Sequence, residues 1–300
     1  MRVAMAGGTR FVKRPSANLR ARVITELAGI TAAEVRFYQE LADEVPLRVP
    51  RFTRAHHRPW DFELVIEDLV SAGCRLIRPG DVITPDQAEH LLRELAAMHG
   101  KFWEDQRLDH ELRWLTDLHR REVMLGERLG RPLMEIGLLR AGPLVPRELH
   151  RGARRYASNR ARVSQRLSRG PRTVVHHDCH PGNLFWTPEG EPGLLDWQLV
   201  RCGSWASDVA YLLATGLTPP DRRAHGDELL DGYLGQLPEE IRPSSNDARQ
   251  SVRAHMAYAF EAMILTLAVG GLMETRDIRR LVHRTAIAVL DNQSFEVLGL

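Results

Sequence analysis

Between residues 173 and 196 a chain patterned elsewhere for helices breaks into short extended pieces around polar loops. The segment VVHHDCHPGNLFWTPEGEPGLLDWQ, residues 174–198, carries the sharpest pattern. Thr173–Val175, Leu184–Trp186 and Gly193–Leu195 read as strands, each apolar and bounded by turn residues. Between and after them stand Asp178, then Asn183 five residues on, then Asp196 eighteen residues on. The fold must therefore seat a hairpin loop inside a large helical body.

The rest of the chain divides near Leu69. Before it the character is mixed. Val3–Ala6 and Phe11–Lys13, separated by Gly7-Gly8, predict a short hairpin. A helix is expected from Ser16 to Ala28, closed by Gly29. A second begins at Thr31, whose spacing to Glu34 makes a capping box, and carries Val35, Phe37, Tyr38 and Leu41. Extended stretches follow at Leu47–Ala55 and Phe62–Ile66. After Leu69, Thr84-Pro85-Asp86-Gln87 is a helix start with cap, proline and box-closing glutamine. Further helical patterns cover 111–129, 146–169, 205–216, 222–236, 246–270 and 276–291. The expected architecture is α+β: a small N-terminal lobe over 1–69 and a large, mainly helical C-terminal lobe over 70–300.

The order carboxylate, amide, carboxylate suits phosphoryl transfer. One carboxylate takes a hydroxyl proton, while the amide and second carboxylate hold the metal on the nucleotide phosphates. Each residue alone is ordinary turn punctuation; the ordered combination is not. A zinc hydrolase is a rival, because His176, His177, Asp178 and His180 crowd together. In an extended segment, however, His176 and His177 point to opposite sides.

His176-His177-Asp178-Cys179-His180-Pro181-Gly182-Asn183, followed by Leu194-Leu195-Asp196-Trp197-Gln198, resembles the catalytic and metal-binding loops of the aminoglycoside phosphotransferase and choline kinase group. With Glu67-Asp68-Leu69 and His99-Gly100-Lys101-Phe102-Trp103, the Asp-Trp-Gln run is similar to the ecdysteroid-kinase-like branch. His177 stands where the group usually has Gly, and Cys179 where it has Leu. The resemblance runs from about residue 10 to 215. It implies a bilobal protein-kinase-like fold and transfer of the γ-phosphoryl group of ATP, with Mg2+, to a hydroxyl of a small-molecule alcohol acceptor. Carried over, it makes Asp178 the catalytic base or the orienter of the attacking hydroxyl. Asn183 and Asp196 become ligands of Mg2+, a hard cation suited to oxygen donors. It makes Asp208 the buried brace of the catalytic loop, where the residues alone allow equally a helix-start carboxylate favoured by the dipole.

Only Lys13 and Lys101 of the 41 basic residues are lysine. Lys13 ends an apolar strand, where kinases place the ammonium that grips nucleotide phosphates. Glu34 is its expected partner, although the capping box with Thr31 competes for that carboxylate and Glu26 is an alternative. Glu67 and Leu69 mark the expected hinge, whose backbone would recognise adenine. Only Met1 to Val12 precede Lys13, so the lobe is expected to lack the first strand and the glycine-rich phosphate-covering loop. A catalytically impaired nucleotide-binding scaffold is the alternative that this raises.

Composition bounds the remaining options. A net charge of +2 gives no electrostatic case for nucleic acid. Ala262–Met273, bracketed by Glu261 and Glu274, is too short to span a bilayer, so no membrane partner is expected. Three scattered cysteines fit a reducing cytoplasm. The arginine-rich stretch Arg147–Arg169 reads as a solvated helix face. The stripe Met256, Ala259, Phe260, Met263, Ile264, Leu267 and Leu272 reads as core. Were part of it to line the acceptor pocket, an apolar alcohol would suit better than a polycation; Glu261, Glu274 and Asp277 are the nearest acidic candidates.

Overall fold

A computed structural model describes residues 1–5, 8–15, 29–58 and 60–300. Strands β1 (Arg2–Met5), β2 (Gly8–Lys13), β3 (Phe52–Arg58) and β4 (Asp61–Glu67) form one antiparallel sheet in the order β1-β2-β4-β3. Strand side chains alternate, so Phe11 and Lys13 share a face while Val12 is buried on the other. Lys13 lies opposite Leu64 and Phe11 opposite Ile66. Helix α1 (Ile30–Glu40) packs on this sheet through a row spaced three and four apart: Glu34, Phe37, Tyr38 and Leu41, all buried.

The helical lobe contains α2 (Pro85–Lys101), α3 (Arg113–Ala141), α4 (Arg147–Ser158), α5 (Arg160–Leu167), α6 (Ala206–Gly216), α7 (Pro219–Gln236), α8 (Ser245–Val269), α9 (Thr275–Asp291) and α10 (Ser294–Val297). The α2 start follows its sequence: Thr84 Oγ1 accepts from Gln87 N at 3.2 Å, and Gln87 Oε1 accepts from Thr84 N at 3.0 Å. Set into these helices are β5 (Arg75–Leu76), β7 (Leu184–Trp186) and β8 (Pro192–Leu194) in one small sheet, and β6 (Thr173–Val175) paired with β9 (Arg201–Gly203). One contiguous core runs through both lobes, including Phe37, Leu64, Leu91, Trp197 and Phe260. Gly193 lets the lobes meet. A Cβ there would lie 2.6 Å from Arg48 O, and Leu194 N donates to that same carbonyl at 3.0 Å.

Several expectations need correction. The helix expected over 111–129 continues to Ala141 through Pro132. The 146–169 pattern is two helices that meet at Asn159. The extended stretch expected from Leu47 forms its strand later, at Phe52–Arg58, with a bulge between Phe52 and Arg54. Thr31 does not cap its helix: α1 starts at Ile30 after Gly29 in the left-handed region at φ 71°, with no side-chain cap. The expected helix over 16–28, the turn at residues 6–7 and the alternative partner Glu26 lie outside the described residues.

Helix α8 is long and apolar enough to cross a membrane, but most of that apolar stretch is buried against the other helices. Gly137 permits the close approach of α3 to it: a Cβ on that glycine would fall 2.4 Å from the Ile264 side chain. Arg140 of α3 then donates to the carbonyls of Leu267 and Ala268 at 3.1 and 2.8 Å, satisfying the open end of α8. The α3–α8 pair is thereby pinned at one end.

Candidate active site

Strand β6 delivers the chain into the loop His176–Asn183, and β7 and β8 return it to Asp196. The loop is held from behind by Asp208, wholly buried near the start of α6. Its carboxylate accepts from His176 N at 2.8 Å and His177 N at 2.7 Å. His99 Nε2 lies 3.2 Å away, and His99 Nδ1 lies 2.8 Å from the Tyr233 hydroxyl. Burial pushes the Asp208 carboxyl up, but the hydrogen bond and charge from His99 bring it below the usual carboxylate range. His177 adopts φ 69°, a left-handed conformation that favours glycine. Its ring is buried, stacked on Tyr258 at 4.0 Å, with Nδ1 3.2 Å from Ser207 Oγ.

Asp178 stands at the loop's tip. Tyr211 of α6 donates to its Oδ1 at 2.6 Å. Asn183 Nδ2 donates to its Oδ2 at 3.0 Å and to its backbone carbonyl at 2.9 Å. Two acceptors on one side fix the amide orientation, because only nitrogen can donate to both. The Asn183 carboxamide oxygen therefore faces the other way. Tyr211 went unrecognised as a site residue in the sequence, since a tyrosine on an apolar helix reads as core.

The second loop is tied to the first. Leu195 N donates to Asn183 O at 3.0 Å, and His176 Nε2 lies 3.0 Å from Leu195 O. Asp178 N donates to His176 Nδ1 at 3.2 Å, so His176 is the neutral tautomer protonated on Nε2. Asp196 takes φ 65° and presents Oδ1 to Lys13 Nζ at 3.0 Å. The same ammonium donates to Glu34 Oε1 at 2.7 Å. Burial opposes the Lys13 charge, yet Asp196 and Glu34 hold its pKa above the usual lysine value. Burial pushes Glu34 up, while Lys13 keeps Asp196 down. Trp197 locks the arrangement, stacking on Phe37 at 3.9 Å and meeting His176 edge-on at 4.6 Å.

Asp178, Asn183, Asp196, Lys13 and Glu34 thus converge, and Glu34 serves Lys13 in place of the cap read from the sequence. Glu67 and Leu69 do not join this cluster. The Glu67 carboxylate binds Arg48 at 2.6 Å and Arg51 N at 3.0 Å. Leu69 is buried with Cys74 and Phe185, and its carbonyl accepts from Cys74 N at 2.8 Å. The zinc alternative fails. The three imidazoles of His176, His177 and His180 turn to different neighbours, Leu195 O, Ser207 Oγ and Gly182 N. Among the described residues no cluster of three or more His, Cys, Asp or Glu is placed to hold a metal. The Arg147–Arg169 face is also not wholly solvated: Arg160 is buried and pairs with Glu261 at 3.1 Å.

Asp178, His180, Asn183 and Asp196 open into a cavity of 510 Å³ that runs between α3 and the C-terminal half of α8. The sequence profile of the phosphotransferase enzyme family matches residues 6–244. The chain belongs to this family. Three solved structures share the phosphotransferase fold. A choline kinase from Streptococcus pneumoniae is 12% identical over 97% of this chain and 89% of its own, with a TM-score of 0.52. An ethanolamine kinase from Plasmodium vivax is 10% identical over 95% of this chain and 75% of its own, TM-score 0.52. A spectinomycin phosphotransferase, solved with ADP and spectinomycin, is 10% identical over 98% and 88%, TM-score 0.51. No curated protein matches the chain. This phosphotransferase therefore has the bilobal protein-kinase-like fold, with a small sheet lobe and a large helical one.

Buried and half-buried imidazoles behind the His176–Asn183 loop should make the phosphotransferase fold acid-sensitive. His119, His177 and His255 line a small cavity there with Arg160 and Arg201. Burial pushes His255 down to about 4. Burial, reinforced by Arg201 and Arg160, brings His119 to about 4. Burial also takes His177 well below its ordinary value. With folded pKa values depressed, the unfolded chain binds protons first. Stability is full above about pH 6.5 and falls as pH drops toward about 4, by ~1.4 kcal/mol per pH unit for each imidazole. Thermal unfolding across this window checks it; an unfolding midpoint that stays flat would refute the assignment.

Proposed function

We propose that this phosphotransferase moves the γ-phosphoryl group of ATP, with Mg2+, to a hydroxyl of a small molecule. The observation that carries the reading is the convergence of two linked pairs. Asp178 is bonded to Asn183 at 3.0 Å, and Asp196 is bonded to Lys13 at 3.0 Å. A backbone hydrogen bond between Asn183 and Leu195 stitches one pair to the other.

The donor set fits magnesium. The Asn183 amide nitrogen is already committed to Asp178, so its oxygen is the group available outward. Asp196 adds a carboxylate, one oxygen of which is bonded to Lys13. Both are hard oxygen donors of the kind that would hold the ion. Bound there, it would supply neutralisation of charge developing on the phosphates. Asp178 orients the acceptor hydroxyl and takes its proton as the new O–P bond forms and the bond to the ADP leaving group breaks. Tyr211 and Asn183 keep that carboxylate aimed, one on each oxygen. Lys13 contacts the nucleotide phosphates, held in place by Glu34.

Two finer readings are also supported. Gln198 Nε2 reaches Glu34 Oε2 at 3.4 Å and Trp197 packs on α1, which gives the Asp-Trp-Gln run a role consistent with the ecdysteroid-kinase-like branch. Cys74, Cys179 and Cys202 are free and buried, which suits the reducing cytoplasm.

Lys13→Met tests the nucleotide end. Loss of one charge-assisted contact worth about 1.5–3 kcal/mol should weaken Mg-ATP binding by about tenfold to a hundredfold. Calorimetric titration with Mg-ATP reads this directly. Unaltered affinity would remove Lys13 from the site. Mg-ATP binding by the unmodified protein without transfer to any alcohol would instead indicate a nucleotide-binding scaffold.

A further inference from the structure

We infer that the acceptor is an uncharged alcohol with a largely hydrocarbon body, lying in the groove between α3 and α8 with its hydroxyl at Asp178. The inference rests on the phosphotransferase reading above and specifies its acceptor.

The groove is mainly apolar. Asp178, Asn183, Asp196 and His180 open into it, Arg160, Arg201 and Glu261 add charged groups, and leucines and other apolar side chains line most of the rest of the 510 Å³ cavity. One stripe of α3 supplies Leu118, Leu125, Leu129 and Leu133, spaced to share a helix face. Opposite them stand Met263 of α8 and Leu272 just beyond it. Leu129 and Leu272 are 51% and 53% exposed, so this part of the lining is open to an incoming molecule. Leu272, expected in the core from the sequence, lies at the surface instead. A volume of this size falls in the range that encloses a substantial organic ligand, about 300–1,000 Å³.

Charge decides against a cationic acceptor. Beyond the two site aspartates, Glu261 is the carboxylate among the described lining residues. It is 2% exposed and pairs with Arg160 at 3.1 Å, so it offers no seat for an ammonium. Arg160 and Arg201 line the same cavity and add positive charge. Glu274 is exposed, and neither it nor Asp277 lines the cavity. An ammonium drawn into the leucine-lined section would lose its water with no anion to replace it. A hydrocarbon body gains from the same burial. The walls are also fixed in place, because Gly137 and Arg140 pin α3 to α8 beyond the groove.

The test compares a medium-chain alkanol with its ω-amino counterpart. Calorimetric titration of the unmodified protein, with Mg-ADP present, measures binding separately from turnover. The alkanol should bind at least about tenfold more tightly, with a negative heat-capacity change from apolar burial. Leu129→Asp places a carboxylate on the exposed groove wall, where folding tolerates it. It should weaken alkanol binding and narrow or invert the ratio. Equal or tighter binding of the amino compound, no binding of either, or alkanol binding indifferent to Leu129→Asp would each overturn the inference. Phosphate transfer from Mg-ATP is scored independently. Alkanol binding without transfer would leave the groove assignment standing and defeat the phosphotransferase reading.

Discussion

Asp178→Asn should lower turnover with Mg-ATP by about 10²–10⁴-fold, the range for removing a positioned general base, while leaving the fold intact. The asparagine keeps the shape of the side chain and a carbonyl oxygen to accept from the Tyr211 hydroxyl, which now bonds Asp178 at 2.6 Å. What it loses is the negative oxygen that attracts the hydroxyl proton, which is also one of the two acceptors for Asn183 Nδ2; the bond from Asn183 to the residue 178 carbonyl remains. Nucleotide affinity should change far less than turnover, because Lys13 and Asp196 are untouched. The measurement is steady-state turnover with an alcohol that the unmodified protein accepts, beside thermal unfolding. Turnover within a few-fold of the parent would show that Asp178 neither takes the proton nor aims the hydroxyl.

Asp208→Ala should be the most damaging single change to stability. The carboxylate is wholly buried and accepts from two consecutive backbone amides and from His99. Removing it strands those donors out of water, which costs about 3–5 kcal/mol by analogy with breaking a buried charged pair. For a chain of this size the unfolding midpoint should fall by about 5–8 °C. Turnover should fall too, even well below the midpoint, because His176 and His177 lead directly into Asp178. A loss of stability with full turnover would separate Asp208 from the loop it braces. Acid should mimic part of the change. The depressed Asp208 pKa means its contribution is complete above about pH 3.9 and is lost as pH falls through the lower, folded value.

How far the sequence discloses this site depends on how local each constraint is. Asp178, Asn183 and Asp196 sit in one short segment between apolar strands, so spacing and composition were enough to place them. The Thr84–Gln87 box is equally local and forms as read. Glu34 is the instructive case. Its spacing from Thr31 spells a cap, but a part-buried ammonium on β2 offers a full charge where a backbone amide offers only a dipole, and the tertiary partner prevails. Asp208 was ambiguous for a related reason: the groups it serves belong to another part of the chain. Tyr211 and Arg160 were hidden because their partners, Asp178 and Glu261, are remote in sequence. The true end of α3 was missed because Pro132 lies inside it, where a proline ordinarily argues for a stop.

The stacking of Phe37 on Trp197 has a consequence for how the enzyme can be controlled. Phe37 lies one helical turn from Glu34, and Trp197 follows Asp196 directly. Swinging α1 outward to release Lys13 would strip two aromatic faces of each other and drag on the neighbouring acidic residue at the same time. Partial states, with Lys13 released and Asp196 still in place, are therefore costly. An effector that acted on this helix would switch the whole centre off together instead of dimming it by degrees.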